Sequence, residues 1–256
     1  MSEARLSHLR MPEMAEREVE VAVLPIGSTE PHAFHLAYAT DTAAVTAFAE
    51  RAVAEGNKRG ANCLLLPTIP ISCNENVRHC PWAMSLQPRT LMEVVGDVVR
   101  TAARNGVRKV IILNGHGGNT SVLQAAQREL SSKSESFVGL VEQWSLSHDV
   151  EDKLAETEER GHACETETSI MLYLAPELVK MEEAKPTRIR KSIFSRAGVS
   201  FVNPWHLYTV NTGIGDPTKA TAEKGRQMIE VAVDRFATAL KELTDAPMYE
   251  LFPYRD

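Results

Sequence analysis

The residues able to do chemistry fall in three short segments. The first is Glu30-Pro31-His32, followed by His35 and Asp41. In an extended segment, residues two apart face the same side, so Glu30 and His32 can point into one site. Asp41 either caps a helix that starts beside it or turns its carboxylate back to that site, and geometry permits both. The second segment is Asn114-Gly115-His116-Gly117-Gly118-Asn119. Glycines around one imidazole permit positive φ and close backbone approach of a ligand, which points to metal or substrate contact. Phosphate cradling is the rival. No Gly-Lys-Ser/Thr follows, however, and the glycine spacing is not that of a dinucleotide fingerprint. The third segment runs from Gly161 and His162 to Leu172. Read as a helix, it places Ala163, Glu167, Ile170, Met171 and Leu174 on one apolar, inward face. A lone carboxylate there is costly, so Glu167 needs a cation, either a metal or an Arg or Lys partner. The same helix would set His162 and Glu165 three residues apart on one face, as a general acid/base pair. A solvated surface role is the alternative for Glu165. Carboxylates and imidazoles together are a ligand set for zinc, manganese or iron.

The elements around these segments alternate. Apolar, β-branched runs predict strands over 19–25, 63–67, 108–113 and 137–141. Helical spacing of apolar residues predicts helices over about 41–59, 90–105, 119 or 120 to 130, and 220–243. Such alternation indicates an α/β fold, single-domain, with a mostly parallel sheet flanked by helices on both faces. The first two segments then lie where strands end and helices begin, the edge at which open α/β sheets bind ligands. Residues 151–160 read as a charged, exposed stretch, and 185–201 as a basic, irregular loop. No repeat, low-complexity tract or linker breaks the chain, so one domain over 1–256 is expected.

Bulk properties exclude several classes. The 256 residues are 43% hydrophobic and 24% charged, with a formal net charge of −6. That balance, and 28 scattered Lys and Arg, argue against a nucleic-acid or anionic-membrane surface. No stretch of apolar residues is long enough to span a bilayer, and the N-terminus lacks an apolar signal core, so a cytoplasmic location is expected. Cys63, Cys73, Cys80 and Cys164 show no CxxC spacing, and disulfides are not expected. Cys63 reads as core. Cys164, beside the third segment, keeps a thiol-ligand role open. A serine hydrolase finds no Gly-x-Ser-x-Gly elbow.

Taken together, several motifs carry a resemblance. They are Pro25-x-Gly27-Ser28-x-Glu30-x-His32 with His35, Leu36, Thr40 and Asp41, then Asn114-Gly115-His116-Gly117-Gly118-Asn119, then His162-Ala163-x-Glu165-x-Glu167-Thr168-Ser169, and Thr212-Gly213-x-Gly215-Asp216-Pro217. With them the chain resembles the creatininase (creatinine amidohydrolase) family from about residue 20 to 240. The resemblance implies a metal-dependent hydrolase with two divalent ions per chain, zinc, manganese or iron. It implies Glu30, His32, Asp41 and His116 as ligands, with Asp41 bridging the ions. In creatininase itself, the residue two after the motif histidine is a glutamate ligand. Here it is Gly118, and the carboxylate would come from Glu167. His162 matches the family's catalytic histidine, a proton donor to the leaving group.

Departures from the family pattern bear on substrate. Pro31, Ala33, Phe34 and Ala37 alter the usual first motif and reshape the pocket without removing ligands. Glu158 stands where creatininase has a substrate-stacking Trp, so creatinine is not the expected substrate. Expected substrate contacts are His35, His79, Trp82, Gly117, Gly118, Asn119 and Trp205, with Trp82, Trp144 and Trp205 alternatively core. The expected reaction opens or cleaves a small cyclic molecule at an amide or lactam C–N bond. The alternatives are C–C hydrolysis of a cyclic diketone, such as a dehydro-inosose of inositol catabolism, and a metal- or ligand-binding protein without turnover. Partners are a small-molecule substrate and other copies of the chain, since the resemblance implies a homo-oligomer, hexameric in the family. Neither nucleic acid nor membrane is expected.

Overall fold

The computed structural model describes residues 4–133, 136–194, 199, 201–248 and 252–254. After a short α1 (Met11–Ala15), the chain enters β1 (Val21–Ile26), α2 (Thr40–Lys58) and β2 (Cys63–Leu65). Next come α3 (Pro88–Arg104), β3 (Lys109–Asn114), α4 (Thr120–Lys133) and β4 (Phe137–Glu142). The four strands pair in parallel, in the order β2-β1-β3-β4. Every residue of β1 and β3 is buried, as central strands covered on both faces require. Side chains alternate between two cores. Val21 and Val23 pack with Phe48, Ile229 and Phe236 on one face, whereas Ala22 and Leu24 pack with Leu91, Val95 and Leu123 on the other.

Register positions the chemistry. Ile26 is level with Asn114, and Asn114 with Glu142. Three strands therefore end at one height, and the loops carrying Glu30 and His116 leave from the same edge. After α5 (His148–Leu154), β5 (Arg160–His162) pairs antiparallel with β6 (Ile214–Gly215) to form a small second ribbon. Between these two strands lie α6 (Glu165–Leu174) and α7 (Trp205–Tyr208), and α8 (Ala222–Asp245) follows β6. The Thr221 hydroxyl caps α8 by accepting from the Lys224 N–H. Among the described residues, no helix is long and apolar enough to cross a membrane.

Expected boundaries shift by at most three residues except in the third segment. There the helix starts at Glu165, not near His162, with Cys164 at its N-cap. Ala163 has φ 51°, a left-handed conformation that no α-helix can contain. His162 therefore belongs to β5, and the helical face that was to pair it with Glu165 does not exist. The charged stretch at 151–160 begins inside α5. Of the expected loop at 185–201, residues 195–198 and 200 lie outside the described residues.

Helices α6 and α8 cross at Gly225, where a Cβ would collide with the Ser169 carbonyl oxygen. Gly225→Ala is expected to destabilise the fold by about 1–3 kcal/mol, as overpacked sites do, read as a lower urea midpoint at unchanged slope. An unchanged midpoint would contradict so close a crossing.

Candidate metal centre

Five elements deliver the acidic and imidazole groups. Glu30 and His32 sit in the loop after β1, Asp41 in the first turn of α2, and His116 just past β3. His162 ends β5, and Glu167 lies in the first turn of α6. Asp41 stands between two histidines, with Oδ1 3.0 Å from His32 Nε2 and Oδ2 3.0 Å from His116 Nδ1. Glu30 Oε1 lies 3.0 Å from His116 Nδ1 and 3.9 Å from His162 Nδ1. Glu167 Oε1 is 3.6 Å from His32 Nε2, while its Oε2 accepts from the Ala163 N–H. The left-handed turn at Ala163 thus orients Glu167.

Each imidazole is held from behind by a backbone carbonyl. His32 Nδ1 meets Glu30 O at 3.1 Å, His116 Nε2 meets Cys73 O at 3.2 Å, and His162 Nε2 meets Pro31 O at 3.1 Å. A carbonyl only accepts, so these nitrogens carry the protons. The opposite nitrogen of each ring faces carboxylates, the arrangement that metal-ligating histidines use. Three sets bring ligand atoms within 4.8 Å of one another: Glu30, Asp41 and His116; His32, Asp41 and Glu167; and Glu30, His32 and His162. Asp41 belongs to the first two. Both oxygens of Glu30, and Asp41 Oδ2, are buried without a hydrogen-bond partner.

The electrostatics require positive charge at this spot. Burial opposes protonation of His116, yet Glu30 and Asp41 raise its pKa to about 10. Burial likewise opposes His32, and Asp41 and Glu167 carry it well above its ordinary value. Burial would raise Asp41, but His32 and His116 hold it well below the usual carboxylate range. His162 differs. Burial and the neighbouring His32 lower it, despite Glu30 nearby, which favours the neutral imidazole. Cations within reach of both Asp41 oxygens fit this donor set, which is one for divalent zinc or manganese.

A cavity of about 770 Å³ opens over the centre. Glu30, Asp41, His116, Gly117, Gly118, His162, Glu167 and Trp205 line it. The Trp205 ring stands edge-on to His162, with centroids 4.8 Å apart. A Cβ on Gly118 would collide with His116 Nε2 and lie 2.7 Å from Cys73 O, so this turn has no room for a glutamate.

Other expected contacts are placed elsewhere. His35 is buried off the cavity, with Nε2 2.9 Å from Thr168 Oγ1. Asn119 is fully buried and tied to Cys73 and Asn114. His79 and Trp82 fall on the outer part of a loop whose root, Asn74, is buried and donates to Ser28 Oγ and Met84 O. Trp82 is 87% exposed, and His79 lies against His206 with the rings tilted by 56° and their centroids 3.7 Å apart. Glu165 too lies off the cavity. Its carboxylate accepts from the Glu156 and Thr157 N–H groups, the Thr157 hydroxyl and Lys224 Nζ, and it pins the strand approach to His162. Cys164 lines the cavity, its thiol 3.3 Å from Thr166 Oγ1, but it joins none of the three ligand sets. Sequence reasoning missed Gln143, His148, Glu151 and Arg160 on the cavity wall, where Trp144, open between pocket and core in the sequence, also lies. The end of β4 was their signal, since the same sheet edge continues there.

The family model described as creatininase, creatinine amidohydrolase, matches residues 7–240. A mycofactocin precursor peptide peptidase of Mycobacterium ulcerans is 30% identical over 234 residues, covering 88% of this chain and 86% of the relative. A creatinine amidohydrolase of Pseudomonas putida is 29% identical, with coverage of 87% and 89%. A 3-dehydro-scyllo-inosose hydrolase of Thermotoga maritima is 24% identical, with coverage of 93% and 82%. Among solved structures, a Bacteroides fragilis protein superimposes with a TM-score of 0.88 at 29% identity, over 98% of this chain and 100% of that one. A zinc–zinc creatininase gives 0.78 at 25% identity, and a manganese creatininase 0.77 at 25%, each over 95% of this chain and 99% of theirs.

Glu165→Ala removes the acceptor shared by two backbone N–H groups and Lys224. We expect a loss of about 2 kcal/mol or more in the unfolding of metal-free protein. Unchanged stability with turnover abolished would instead assign Glu165 a chemical role.

Proposed function

The chain belongs to the creatininase family, and on that footing we propose that it is a two-ion hydrolase of amide C–N bonds. The observation that carries this reading is Asp41, whose two oxygens face two different histidine–carboxylate sets. Glu30, Asp41 and His116 would hold one ion; His32, Asp41 and Glu167 would hold the other. Zinc or manganese is favoured, since solved relatives carry those metals. Divalent ions bound there supply Lewis acidity for water and for the attacked carbonyl.

The remaining chemistry falls to side chains of this chain. Pro31 O holds a proton on His162 Nε2, which leaves Nδ1 facing Glu30. At Nδ1, His162 would take the proton lost by the water that attacks the carbonyl and hand it to the nitrogen that departs as the C–N bond breaks. Trp205 buttresses that ring and screens one side of it from water. Ala163 and β5 keep Glu167 and His162 on the same wall of the cavity. Two of the three named relatives, a peptidase and an amidohydrolase, cleave amides, which supports C–N chemistry over the C–C cleavage suggested by the third. The substrate is a small molecule taken up in the cytoplasm. The exposed Phe34, Trp82 and Val202 suit burial between copies in a homo-oligomer.

The test strips the protein with a chelator, restores zinc or manganese, and assays lactams, short peptide amides and cyclic diketones. Amide turnover should vanish with the metal and return with it. His162→Ala should lose about 100-fold or more in kcat, in line with loss of a proton-transfer group, while keeping its metal. Turnover of diketones alone would replace C–N by C–C hydrolysis. A fully metallated protein inert on all three classes would be a binding protein.

A further inference from the structure

The Asn114–Asn119 turn contains two asparagines that touch neither the cavity nor a ligand atom, and both are completely buried. Asn114 uses its whole hydrogen-bonding capacity. Its Oδ1 accepts from the His116 N–H at 3.1 Å and from Asn119 Nδ2 at 3.2 Å. Its Nδ2 donates to His116 O at 2.9 Å and to Glu142 Oε2 at 2.7 Å. Asn119 Oδ1 accepts from the Cys73 N–H at 3.1 Å, and the carbonyl of the same Cys73 accepts from His116 Nε2 at 3.2 Å. The contacts close a ring: His116, Asn114, Asn119, Cys73, and back to His116.

We propose that this ring is a clamp that fixes the tautomer and aim of His116, with Asn119 and Asn114 as positioning residues for one of the two ions. Asn119 holds Cys73 so that its carbonyl meets Nε2. That bond places the ring proton on Nε2 and leaves Nδ1 for Glu30 and Asp41. Gly118 keeps the space between them open, because a Cβ there would strike Nε2 and crowd Cys73 O. Asparagine suits both positions because one short amide offers donor and acceptor together. None of the ring's members belongs to the set of His32, Asp41 and Glu167. The clamp therefore acts on the ion of Glu30, Asp41 and His116 and spares the other.

This inference rests on the two-ion reading, and one calorimetric titration separates them. Metal-stripped full-length protein is titrated with Zn2+, and two sites are expected in the parent. In Asn119→Ala, affinity at one site should fall roughly 10–100-fold, the usual effect of losing an outer-shell partner. The second site should stay within about threefold. Asn114→Asp keeps the acceptor for the His116 N–H but loses both donations, and it should show the same one-sided loss. It also serves where Asn119→Ala gives no folded protein. Two sites of parental affinity in the variants would overturn the clamp alone, as would equal weakening of both. Fewer than two sites in the parent would overturn the two-ion reading, and the clamp with it.

Discussion

Buried carboxylate charge without hydrogen-bond partners is the constraint on which the rest of this structure depends. Glu30 is fully buried and Asp41 nearly so, and three of their four oxygens lack a hydrogen bond. Desolvating such ions costs several kcal/mol each even after relaxation. Helix N-termini do not offset that. Asp41 and Glu167 both sit in first turns, where the helix dipole contributes at most about 2 kcal/mol. Cations must supply the difference. Three imidazoles converge there, each braced by a backbone carbonyl so that the other nitrogen faces the acids.

The parallel sheet makes this convergence possible. Because β1, β3 and β4 end level, residues distant in sequence leave the sheet at one edge. The β5–β6 ribbon and α6 then close the site from the opposite wall, bringing His162 and Glu167 to face Glu30 and His32. The crossing of α6 and α8 at Gly225 locks that wall to the main body. Glu165, holding Thr157 and Lys224, fixes the approach to it. The centre is thus divided between a rigid edge, which concentrates acids, and a ribbon, which brings His162 to face them.

Much of this was legible in the chain. Glu30 and His32 two apart in an extended segment, and His116 among glycines, point to one site because strand periodicity and glycine's freedom are local properties. Parallel strands announced themselves as unbroken apolar runs. In the third segment nothing local marks Ala163 as left-handed, so helical periodicity does not reveal that the helix begins at Glu165 and leaves His162 outside it. Glu167 still reached the centre, through the turn rather than the stripe. His79 and Trp82 misled differently. Aromatic and imidazole side chains in a polar loop suggest a pocket, but which way a loop folds is decided by its root, here Asn74. The wall contributed by Gln143, Trp144 and α5 was invisible to periodicity, since it depends on which helix closes over the sheet edge.

The most direct measurement is anomalous diffraction from crystals of zinc-loaded protein at the zinc absorption edge. Two peaks per chain are predicted, on either side of the Asp41 carboxylate, one against Glu30 and His116 and the other against His32 and Glu167. A single peak, or peaks that do not share Asp41, would contradict the shared-carboxylate centre.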